Sequence, residues 1–380
     1  MKILHIITGL GSGGAEAVLS RLVIADNNSN EHHVISLTGR GIYGDRLEPF
    51  VASLHSLNFR RGTSLLLGFL KLLVILRKIH PDVVQTWMYH ADFIGGIAAR
   101  LTGIRSIVWG IRHANLEKKY NSAATLYIVR LCARLSGYLP KRIISCSVHA
   151  LQLHKSVGYC AEKFVHIPNG YDLKSFKPDA NGRYAVRTEF CVAPNVFVLG
   201  MVARFDSQKD HRNLILALSR LKRLGIDYIC LLAGVNMDDA NIALRSLIDE
   251  SDISDKVKLL GIRSDVPSVM SALDVHVLSS LGEAFPNVLA EAMACETPCV
   301  ATDVGDARLI VSNYGWIVAR QDDLALANGL MQAYESFRVN QVEWQRRKSA
   351  CRTHIMTNFE LETMSERYRQ VWKDSMELSG

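Results

Sequence analysis

Strand and helix signals alternate along this 380-residue chain, and the alternation runs through twice. The first series begins with an apolar strand at 2–8, and the second begins with another at 197–203. Because parallel strands need a crossover connection, usually a helix, this alternation predicts two doubly wound α/β units. The other predicted strands are 34–37, 83–87, 106–110 and 142–146 in the first series, and 228–233, 257–260, 275–278, 298–301 and 316–318 in the second.

A turn-rich segment separates the two series. Residues 166–194 include three prolines and two Asn-Gly pairs, which are typical of turns and connections. We therefore predict an N-terminal domain over 1–165, a linker over 166–194 and a C-terminal domain over 195–358. Residues 359–380 carry apolar side chains near helical spacing, which predicts a C-terminal helix that packs back on the N-terminal domain.

The composition indicates a folded protein of the cytoplasm. With 48% hydrophobic and 21% charged residues, the chain is too apolar and too evenly mixed for a disordered protein. Its eight cysteines include no Cys-x-x-Cys pair, which favours reduced thiols over a disulfide scaffold. The longest apolar stretch, 65–76, is interrupted by Lys71 and is shorter than the roughly 18 residues that span a bilayer. Residues 1–10 are interpreted as a first strand rather than a signal peptide.

Charge is distributed unevenly between the two halves. Residues 1–165 carry 20 lysines and arginines and 9 acidic residues, a formal charge of +11, whereas residues 166–380 carry 24 and 28, a charge of −4. The basic half is suited to anionic lipid, phosphorylated substrates or nucleic acid. Because its cations are scattered, without a long basic run or a recognisable nucleic-acid motif, we expect no nucleic-acid partner.

An apolar segment with basic ends points to attachment at an anionic membrane surface. Basic pairs at 60–61 and 77–78 flank the apolar residues 65–76, and a second segment, 118–142, has basic pairs at both ends of an apolar helix. Cations near an anionic leaflet and an apolar helix face in the interface both favour surface binding. The alternative is that both helices simply cover the sheet of the N-terminal domain.

Three glycines follow the first strand. Gly9, Gly11 and Gly14 form the pattern G-x-G-x-x-G, which occurs in dinucleotide-binding loops. An NAD site usually also has an acidic residue at the end of the second strand, and residues 36–38 contain none. Two other interpretations stay open: a tight turn that brings helix and strand together, and a loop that lets an anion approach the amino end of the helix.

Charged residues follow predicted strands at positions where α/β proteins bind ligands. Arg204 and Lys209 follow the first strand of the second series, a position suited to gripping phosphate oxygens. Glu283 and Glu291 lie eight residues apart around a predicted helix start at Pro286. The alternatives are solvated surface charges in the first case and compensation of the helix dipole in the second.

A histidine also follows a predicted strand. His113 lies three residues beyond the strand at 106–110. That position makes it a candidate for substrate contact, although a single histidine is equally well explained as structural.

Taken together, these residues resemble the family 4 retaining glycosyltransferases of the GT-B architecture. The most specific match is the E-x7-E pair, Glu283 and Glu291. The other matching pieces are Gly-Gly-Ala-Glu at 13–16, Pro-Asp-Val-Val at 81–84, Ile-Pro-Asn-Gly at 167–170 with Asp172, and Arg204 with Lys209. The resemblance covers nearly the whole chain. It implies two Rossmann-like domains that face a cleft, with the acceptor bound mainly by the N-terminal domain and the donor by the C-terminal domain.

The resemblance also implies roles for individual residues. Arg204 and Lys209 would neutralise the donor diphosphate as the glycosidic bond breaks. Glu283 would contact the transferred sugar and His113 would orient it, so these four are the predicted catalytic residues. The predicted donor-binding residues are Gly13, Gly14, Arg263, Phe285, Pro286, Asn287, Val288, Leu289 and Glu291.

By the same resemblance, the expected donor is a UDP-sugar, with an N-acetylhexosamine as one candidate. The expected acceptor is a glycan or a polyprenyl-diphosphate-linked glycan of a bacterial surface polysaccharide such as lipopolysaccharide O-antigen. Retaining members react on one face of the sugar without an established enzyme nucleophile. Because no Asp-x-Asp occurs, we expect no metal ion and no other cofactor. The expected location is cytoplasmic, as a peripheral protein on the cytoplasmic face of the inner membrane.

Two alternative functions stay open at this point. Sugar-nucleotide 2-epimerases have a related two-domain shape, but they lack the E-x7-E region. A noncatalytic sugar-nucleotide-binding protein tends to lose catalytic residues, whereas His113 and Glu283 are both present here.

Overall fold

The computed structural model describes residues 1–11, 13–59 and 63–378. It contains two compact units: one is formed by Met1–Gly170 with the segment that starts at Leu361, and the other by Tyr171–Glu360. Each unit holds a parallel sheet with helices between successive strands. The predicted pair of Rossmann-like α/β units is therefore confirmed.

A parallel sheet forms the centre of the first unit. Its strands are β1 Lys2–Ile7, β2 Glu31–Ser36, β3 Ser53–Ser56, β4 Val83–Trp87, β5 Ile107–Ile111, β6 Arg142–Ser145 and β7 Phe164–His166. They lie in the order β3-β2-β1-β4-β5-β6-β7. The sequence analysis does not predict β3 and β7, because Ser-Leu-His-Ser and Phe-Val-His are short segments without the uninterrupted apolar run of a strand such as β13.

Helices alternate with these strands along the chain. They are α1 Gly14–Asp26, α2 Gly41–Leu47, α3 Thr63–Ile79, α4 Tyr89–Leu101, α5 Ala123–Leu135 and α6 Val148–Ser156. Helix α1 packs on the sheet through Val18, Leu19, Leu22 and Val23, all fully buried.

The second unit repeats the design with six strands. They are β8 Phe197–Val202, β9 Tyr228–Ala233, β10 Val257–Gly261, β11 Val275–Leu278, β12 Cys299–Thr302 and β13 Trp316–Val318, in the order β10-β9-β8-β11-β12-β13. The sequence predicts all six, because each is an apolar run between turns. The helices are α7 Ala180–Glu189, α8 His211–Arg223, α9 Ile242–Glu250, α10 Val266–Ala272, α11 Asn287–Ala294, α12 Ala307–Val311, α13 Asp323–Val339 and α14 Gln341–Asn358.

In both sheets the strand order reverses beside the first strand of the unit. β1 lies between β2 and β4, and β8 lies between β9 and β11. Ligands of open α/β sheets bind outside the carboxyl ends of the strands at such a reversal. The loops after β1, β4, β8 and β11 therefore mark where a site is expected in each unit.

The chain passes from the first unit to the second between Gly170 and Tyr171, inside the predicted linker 166–194. That segment is more than a connection, since it contains the end of β7 and all of α7. The chain returns to the first unit at Leu361, where helix α15 (Leu361–Glu377) begins. In the core of that unit α15 buries Met364, Tyr368, Val371 and Trp372.

Helix α3 buries one face and exposes another. Leu72 and Leu76 are fully buried, whereas Leu66, Leu67 and Val74 are 65%, 67% and 62% exposed. One side of the helix therefore covers the interior of the unit, and the other presents an apolar surface to solvent.

The charged ends of α3 are only partly described. Arg60 and Arg61, the basic pair before the helix, lie outside the described residues, whereas Arg77 and Lys78 at its end are exposed. Over the described part of the chain, no helix has both the length and the apolar character needed to cross a membrane.

A buried polar chain connects β4, β1, β2, α1 and α15. The indole N–H of Trp87 donates to Nδ1 of His5 at 3.2 Å, and Nε2 of His5 lies 3.0 Å from Nδ1 of His32. Nε2 of His32 lies 3.0 Å from Oδ2 of Asp26, and Arg369 donates to Oδ1 of the same carboxylate at 2.8 Å. Because an indole can only donate, His5 accepts at Nδ1 and donates from Nε2, and His32 donates to Asp26. His5 thus accepts one hydrogen bond and donates the other, as a neutral imidazole does.

The buried chain predicts a loss of stability in mild acid. Burial, reinforced by the rings of His32 and His33, holds the pKa of His5 well below its ordinary value of 6.5. The unfolded chain therefore takes up a proton at His5 below about pH 6.5 that the folded chain does not, so stability falls as the pH decreases. Urea unfolding at pH 7 and pH 5 should show a contribution from His5 of up to about 1.4 kcal/mol per pH unit.

The matched comparison is His5→Gln, which removes the titrating ring and leaves every other histidine in place. This variant should be less stable at pH 7 and should have a shallower dependence of the unfolding free energy on pH. Identical slopes for the two proteins would contradict the assignment.

Candidate active site

The loops after β8 and β11 hold each other in place. The Leu281 N–H donates to the Gln208 carbonyl at 2.7 Å, and the Ser279 hydroxyl donates to the Lys209 carbonyl at 2.8 Å. Both contacts lie beyond the carboxyl ends of two neighbouring strands. These joined loops carry three of the residues predicted to be catalytic: Arg204, Lys209 and Glu283.

An ion pair between Lys209 and Glu283 lies in these loops. Nζ of Lys209 is 2.5 Å from Oε1 of Glu283, and the two side chains are 21% and 15% exposed. The Ser280 hydroxyl donates to the same carboxylate oxygen at 2.8 Å. Both charges have lost much of their hydration. Each therefore needs its present partner or another group with the same sign of charge as that partner.

Arg204 extends from the same loop with 56% of its side chain exposed. Its Nε lies 3.2 Å from Oδ2 of Asp206. The other oxygen of that carboxylate, Oδ1, accepts the Gln208 N–H at 2.9 Å, so Asp206 caps the short turn that leads to Lys209. Burial opposes ionisation of Asp206, but these hydrogen bonds outweigh it and lower the pKa of the carboxyl. Sequence analysis missed Asp206, although an acid just before a turn is a capping signal.

Helix α11 begins directly after Pro286, as the proline predicts. Pro286 is the N-cap residue and makes no side-chain hydrogen bond to the helix, so this terminus keeps the partial positive charge of its N–H groups. The Leu289 N–H is partly committed, because it donates to the Pro286 carbonyl at 3.1 Å. Glu283 lies in the loop before the helix, and Glu291 lies in its second turn.

Gly305 supports the Glu283 loop from the adjacent strand β12. Its φ is +52°, and a Cβ at this position would lie 2.4 Å from the carbonyl oxygens of both Glu283 and Ala284. The next residue, Asp306, donates its N–H to the Ala284 carbonyl at 3.1 Å. A positive φ and so close an approach to backbone together require glycine.

Arg263 does not join this group. It follows β10, which is separated from β8 by β9. Its guanidinium contacts Glu189 at 2.7 and 3.1 Å and Asp265 at 2.8 Å through two nitrogens. These hydrogen bonds raise its pKa above the ordinary value.

In the first unit, His113 lies beyond the end of β5 and is half-buried. The ring of Tyr89 meets it edge-on at 6.4 Å, and the Tyr89 hydroxyl lies 2.9 Å from Nε2 of His154. His154 donates from Nδ1 to the Ala150 carbonyl at 2.7 Å, so its Nε2 accepts from Tyr89. Burial lowers the pKa of His154 to about 4. Sequence analysis missed Tyr89 and His154, although Tyr89 follows β4 closely.

The amino end of α1 is closed by a side chain of this unit. Gly13 is the N-cap residue and Gly14 the first residue of the helix. A Cβ on Gly13 would lie 2.4 Å from Oε2 of Glu16, so that carboxylate folds back over the terminus. Burial raises the pKa of Glu16. An incoming anion at Gly13 would therefore meet an acidic side chain.

The structure explains why the first position of the G-x-G-x-x-G pattern is a glycine. A Cβ on Gly9 would lie 2.7 Å from Oγ1 of Thr38, which follows β2. The Thr38 hydroxyl donates to the Thr8 carbonyl at 2.8 Å and so ties the two strand ends together. This geometry favours the tight-turn interpretation of Gly9, and an acid for a nucleotide ribose is absent from residues 36–38, all of them described.

Two family models match the chain. Residues 12–175 match the model described as Glycosyltransferase Family 4, and residues 191–344 match the model described as Glycosyl transferases group 1. The chain belongs to the family 4 glycosyltransferases. The resemblance found in the motifs is thus confirmed, and the 2-epimerase alternative receives no support.

Relatives of this glycosyltransferase act in bacterial polysaccharide synthesis. The UDP-Gal:alpha-D-GlcNAc-diphosphoundecaprenol alpha-1,3-galactosyltransferase of Escherichia coli is 24% identical over 393 residues, which cover 98% of this chain and 97% of that protein. The N-acetylgalactosamine-N,N'-diacetylbacillosaminyl-diphospho-undecaprenol 4-alpha-N-acetylgalactosaminyltransferase of Campylobacter jejuni is 25% identical over 345 residues, covering 87% and 89%. The structure of Anabaena Alr3699/HepE in complex with UDP matches with a TM-score of 0.84 at 23% identity, covering 98% of this chain and 100% of that one. This likeness confirms the GT-B fold class.

The support of the Glu283 loop by Gly305 gives a testable prediction. Gly305→Ala places a methyl group against two backbone carbonyls and also disfavours the observed φ, so the loop has to move. We expect transferase activity to fall by about tenfold or more, since a small displacement of positioned groups has large effects on rate. Activity and melting temperature should be measured together.

Gly225→Ala is the matched control. Gly225 also has a positive φ, +74°, but a Cβ there has no atom within 4 Å among the residues that the structure describes. The Gly225→Ala substitution should lower the stability only because alanine disfavours a positive φ, and it should leave the activity per folded molecule unchanged. Equal activity losses in the two variants would contradict the supporting role of Gly305.

Proposed function

We propose that this glycosyltransferase moves a sugar from a UDP-sugar to a lipid-linked glycan acceptor during synthesis of a bacterial surface polysaccharide. The names of the E. coli and C. jejuni relatives specify diphosphoundecaprenol-linked acceptors, and the Anabaena structure is a complex with UDP. The observation that carries the proposal is the convergence of Arg204, Lys209 and Glu283 outside the carboxyl ends of β8 and β11. An N-acetylhexosamine is the first sugar to test, in line with the name of the C. jejuni relative.

The proposed chemistry uses the charges in this order. The donor diphosphate gains negative charge as the glycosidic bond breaks, and Arg204 and Lys209 stabilise it. When the diphosphate occupies Lys209, the carboxylate of Glu283 loses its partner and accepts hydrogen bonds from hydroxyl groups of the sugar. Glu291 binds the ribose hydroxyls, and the amino end of α11 adds partial positive charge near the donor.

Retention is proposed to proceed on one face of the sugar. The acceptor oxygen bonds to the anomeric carbon on the face from which the diphosphate departs, and the departing phosphate oxygen takes the proton of the acceptor hydroxyl. Neither an enzyme nucleophile nor an enzyme base is then needed. Glu283 has a different proposed role, since its carboxylate is held by Ser280 at Oε1 and accepts hydrogen bonds from the sugar hydroxyls. His113, held beside Tyr89 in the first unit, is proposed to orient the transferred sugar.

The reaction is proposed to need no metal ion. Arg204 and Lys209 supply the positive charge that a metal ion supplies to the diphosphate in other transferases. In addition, the described residues contain no group of three His, Cys, Asp or Glu side chains that could hold a metal ion.

Arg204→Ala and Lys209→Ala should each lower transfer by on the order of 10²-fold, as for loss of a charge contact made in the transition state. The measurement is release of UDP from a UDP-sugar in the presence of a polyprenyl-diphosphate-linked acceptor, with and without EDTA. EDTA should leave the wild-type rate unchanged. The control, Arg245→Ala, removes an arginine of the same unit that is 54% exposed and should keep full activity.

Two results would overturn parts of this proposal. Complete inhibition by EDTA that Mg²⁺ reverses would overturn the metal-free mechanism. Saturable binding of NAD together with no response to any nucleotide sugar would overturn the transferase assignment; UDP at 100 times its Kd should instead stabilise the protein by roughly 2.7 kcal/mol.

Peripheral attachment to the anionic cytoplasmic leaflet of the inner membrane is part of the proposal. The net charge of +11 on residues 1–165 and the exposed apolar face of α3 support it. Lys71, Arg77 and Lys78 on the same helix are exposed and can approach lipid phosphates while the apolar face enters the interface. Such attachment would keep the acceptor site close to a lipid-linked substrate.

Flotation on liposomes tests this attachment. The wild-type protein should float with vesicles that contain anionic lipid, and high salt should weaken its binding. Replacing both Leu67 and Leu70 by Glu, or both Arg77 and Lys78 by Glu, should release the protein while transfer to a soluble acceptor analogue continues.

The control for these variants replaces Ile262 and Val339 by Glu. These residues of the second unit are 74% and 83% exposed, so they are more exposed than Leu67 and Leu70 of α3, which are 67% and 49% exposed. Their replacement should leave flotation unchanged. Equal flotation on neutral and anionic vesicles, or none on either, would rule out the electrostatic attachment.

A further inference from the structure

The two segments through which the chain enters and leaves the second unit lie side by side within that unit. The unit begins at Tyr171 and ends at Glu360. The Tyr171 N–H donates to the Phe359 carbonyl at 3.0 Å, and Tyr171 forms an isolated parallel bridge with Glu360. The first residue of the unit is therefore hydrogen-bonded to the next-to-last residue and paired with the last.

The same two segments hold the amino end of α11. The Tyr171 hydroxyl donates to Oδ1 of Asn287, the first residue of the helix, at 2.7 Å. The ring of Phe359 packs edge-on against Phe285 at 5.7 Å. Tyr171 is fully buried, and Phe285 and Phe359 are 5% and 4% exposed, so the three rings are shielded from water, whereas the Asn287 side chain is half-buried.

The carboxyl end of α11 is tied to the entering segment as well. Arg352 of α14 donates to the Phe176 carbonyl at 3.0 Å and to the Leu173 carbonyl at 3.1 Å. The same guanidinium donates to the carbonyl of Ala294, the last residue of α11. Both ends of the helix are therefore fixed to residues 171–176.

We propose that Tyr171 is a positioning residue for donor binding: its hydroxyl fixes Asn287 and with it the amino end of α11 where the donor binds. This inference rests on the proposed function, in which Glu291 binds the donor ribose and the amino end of α11, which begins at Asn287, lies near the donor. Tyr171 touches none of the reacting atoms, because its hydroxyl is directed to the Asn287 amide oxygen. That hydrogen bond also sets the orientation of the amide, turning its Nδ2 away from Tyr171.

The hydrogen bond from Tyr171 preorganises the amino end of α11. A helix terminus binds an anion well only if its N–H groups are held in place before the ligand arrives. Pro286 provides no side-chain cap. The rest of the unit instead contacts this terminus through the hydrogen bond to the Asn287 side chain and the ring packing on Phe285. Removing the Tyr171 hydroxyl keeps the buried ring and eliminates only the hydrogen bond to Asn287.

The experiment compares Tyr171→Phe with Tyr228→Phe. Tyr228 is a matched control, because it is also fully buried in the second unit and its hydroxyl donates at 2.7 Å, to the Leu218 carbonyl. Each variant loses one hydrogen bond donated by a fully buried tyrosine, and neither should lose more than a few degrees of melting temperature. Only Tyr171→Phe should raise the KM for the UDP-sugar, by about five- to tenfold, with the KM for the acceptor unchanged.

A second arm uses Asn287→Ala as background. If Tyr171 acts through Asn287, adding Tyr171→Phe to Asn287→Ala should cause no further change in the donor KM. A full additional effect in that background would overturn the proposal, and so would equal donor KM values for Tyr171→Phe and Tyr228→Phe.

Failure of the proposed function gives a different result. In that case the wild-type protein shows no UDP binding by calorimetry and no transfer, and the positioning role falls with it. Normal UDP binding by the wild type, with Tyr171→Phe indistinguishable from Tyr228→Phe, overturns the positioning role alone.

Discussion

The contact between Lys209 and Glu283 exists because β8 and β11 lie side by side, and the proposed chemistry depends on that contact. Side chains that are 21% and 15% exposed have lost much of their hydration, so each charge needs an opposite charge or hydrogen-bond partner nearby. A diphosphate that binds Lys209 removes the partner of Glu283, and sugar hydroxyls are suitable replacements. Under the proposed function, charge balance therefore links binding of the diphosphate to binding of the sugar.

Neutral groups hold this charged pair in place. Ser279 and Leu281 hydrogen-bond to the backbone of the opposite loop, and Gly305 allows a third loop to approach the carbonyl oxygens of Glu283. Such contacts restrict the loops before any ligand binds, which reduces the entropy lost on binding. Tyr171 extends the same principle to α11, since a buried hydroxyl fixes the first residue of that helix.

The sequence predicts elements with a strong local pattern and misses those that depend on tertiary contacts. Strands β8 to β13 are apolar runs between turns, whereas β3 and β7 are short, half-buried edge strands with no such pattern. Lys209 and Glu283 are 74 residues apart, so only the order of strands in the sheet reveals that they meet. The ion pair between Arg263 and Glu189 could not be predicted for a related reason. Glu189 belongs to α7, which lies in the segment predicted as linker.

Helix α3 shows why an apolar sequence leaves two interpretations open. A helix that is apolar on nearly all sides fits a buried position and an interfacial one equally well, because periodicity cannot say how many of its faces find partners. Here Leu72 and Leu76 are buried, while Leu66, Leu67 and Val74 are not covered by the unit. An exposed apolar strip costs solubility unless something covers it, and the cations Arg77 and Lys78 at its end favour an anionic surface over a neutral one. Under the proposed function, the surplus of apolar residues over what the core can bury is thus the feature that would bring this transferase to its lipid-linked substrate.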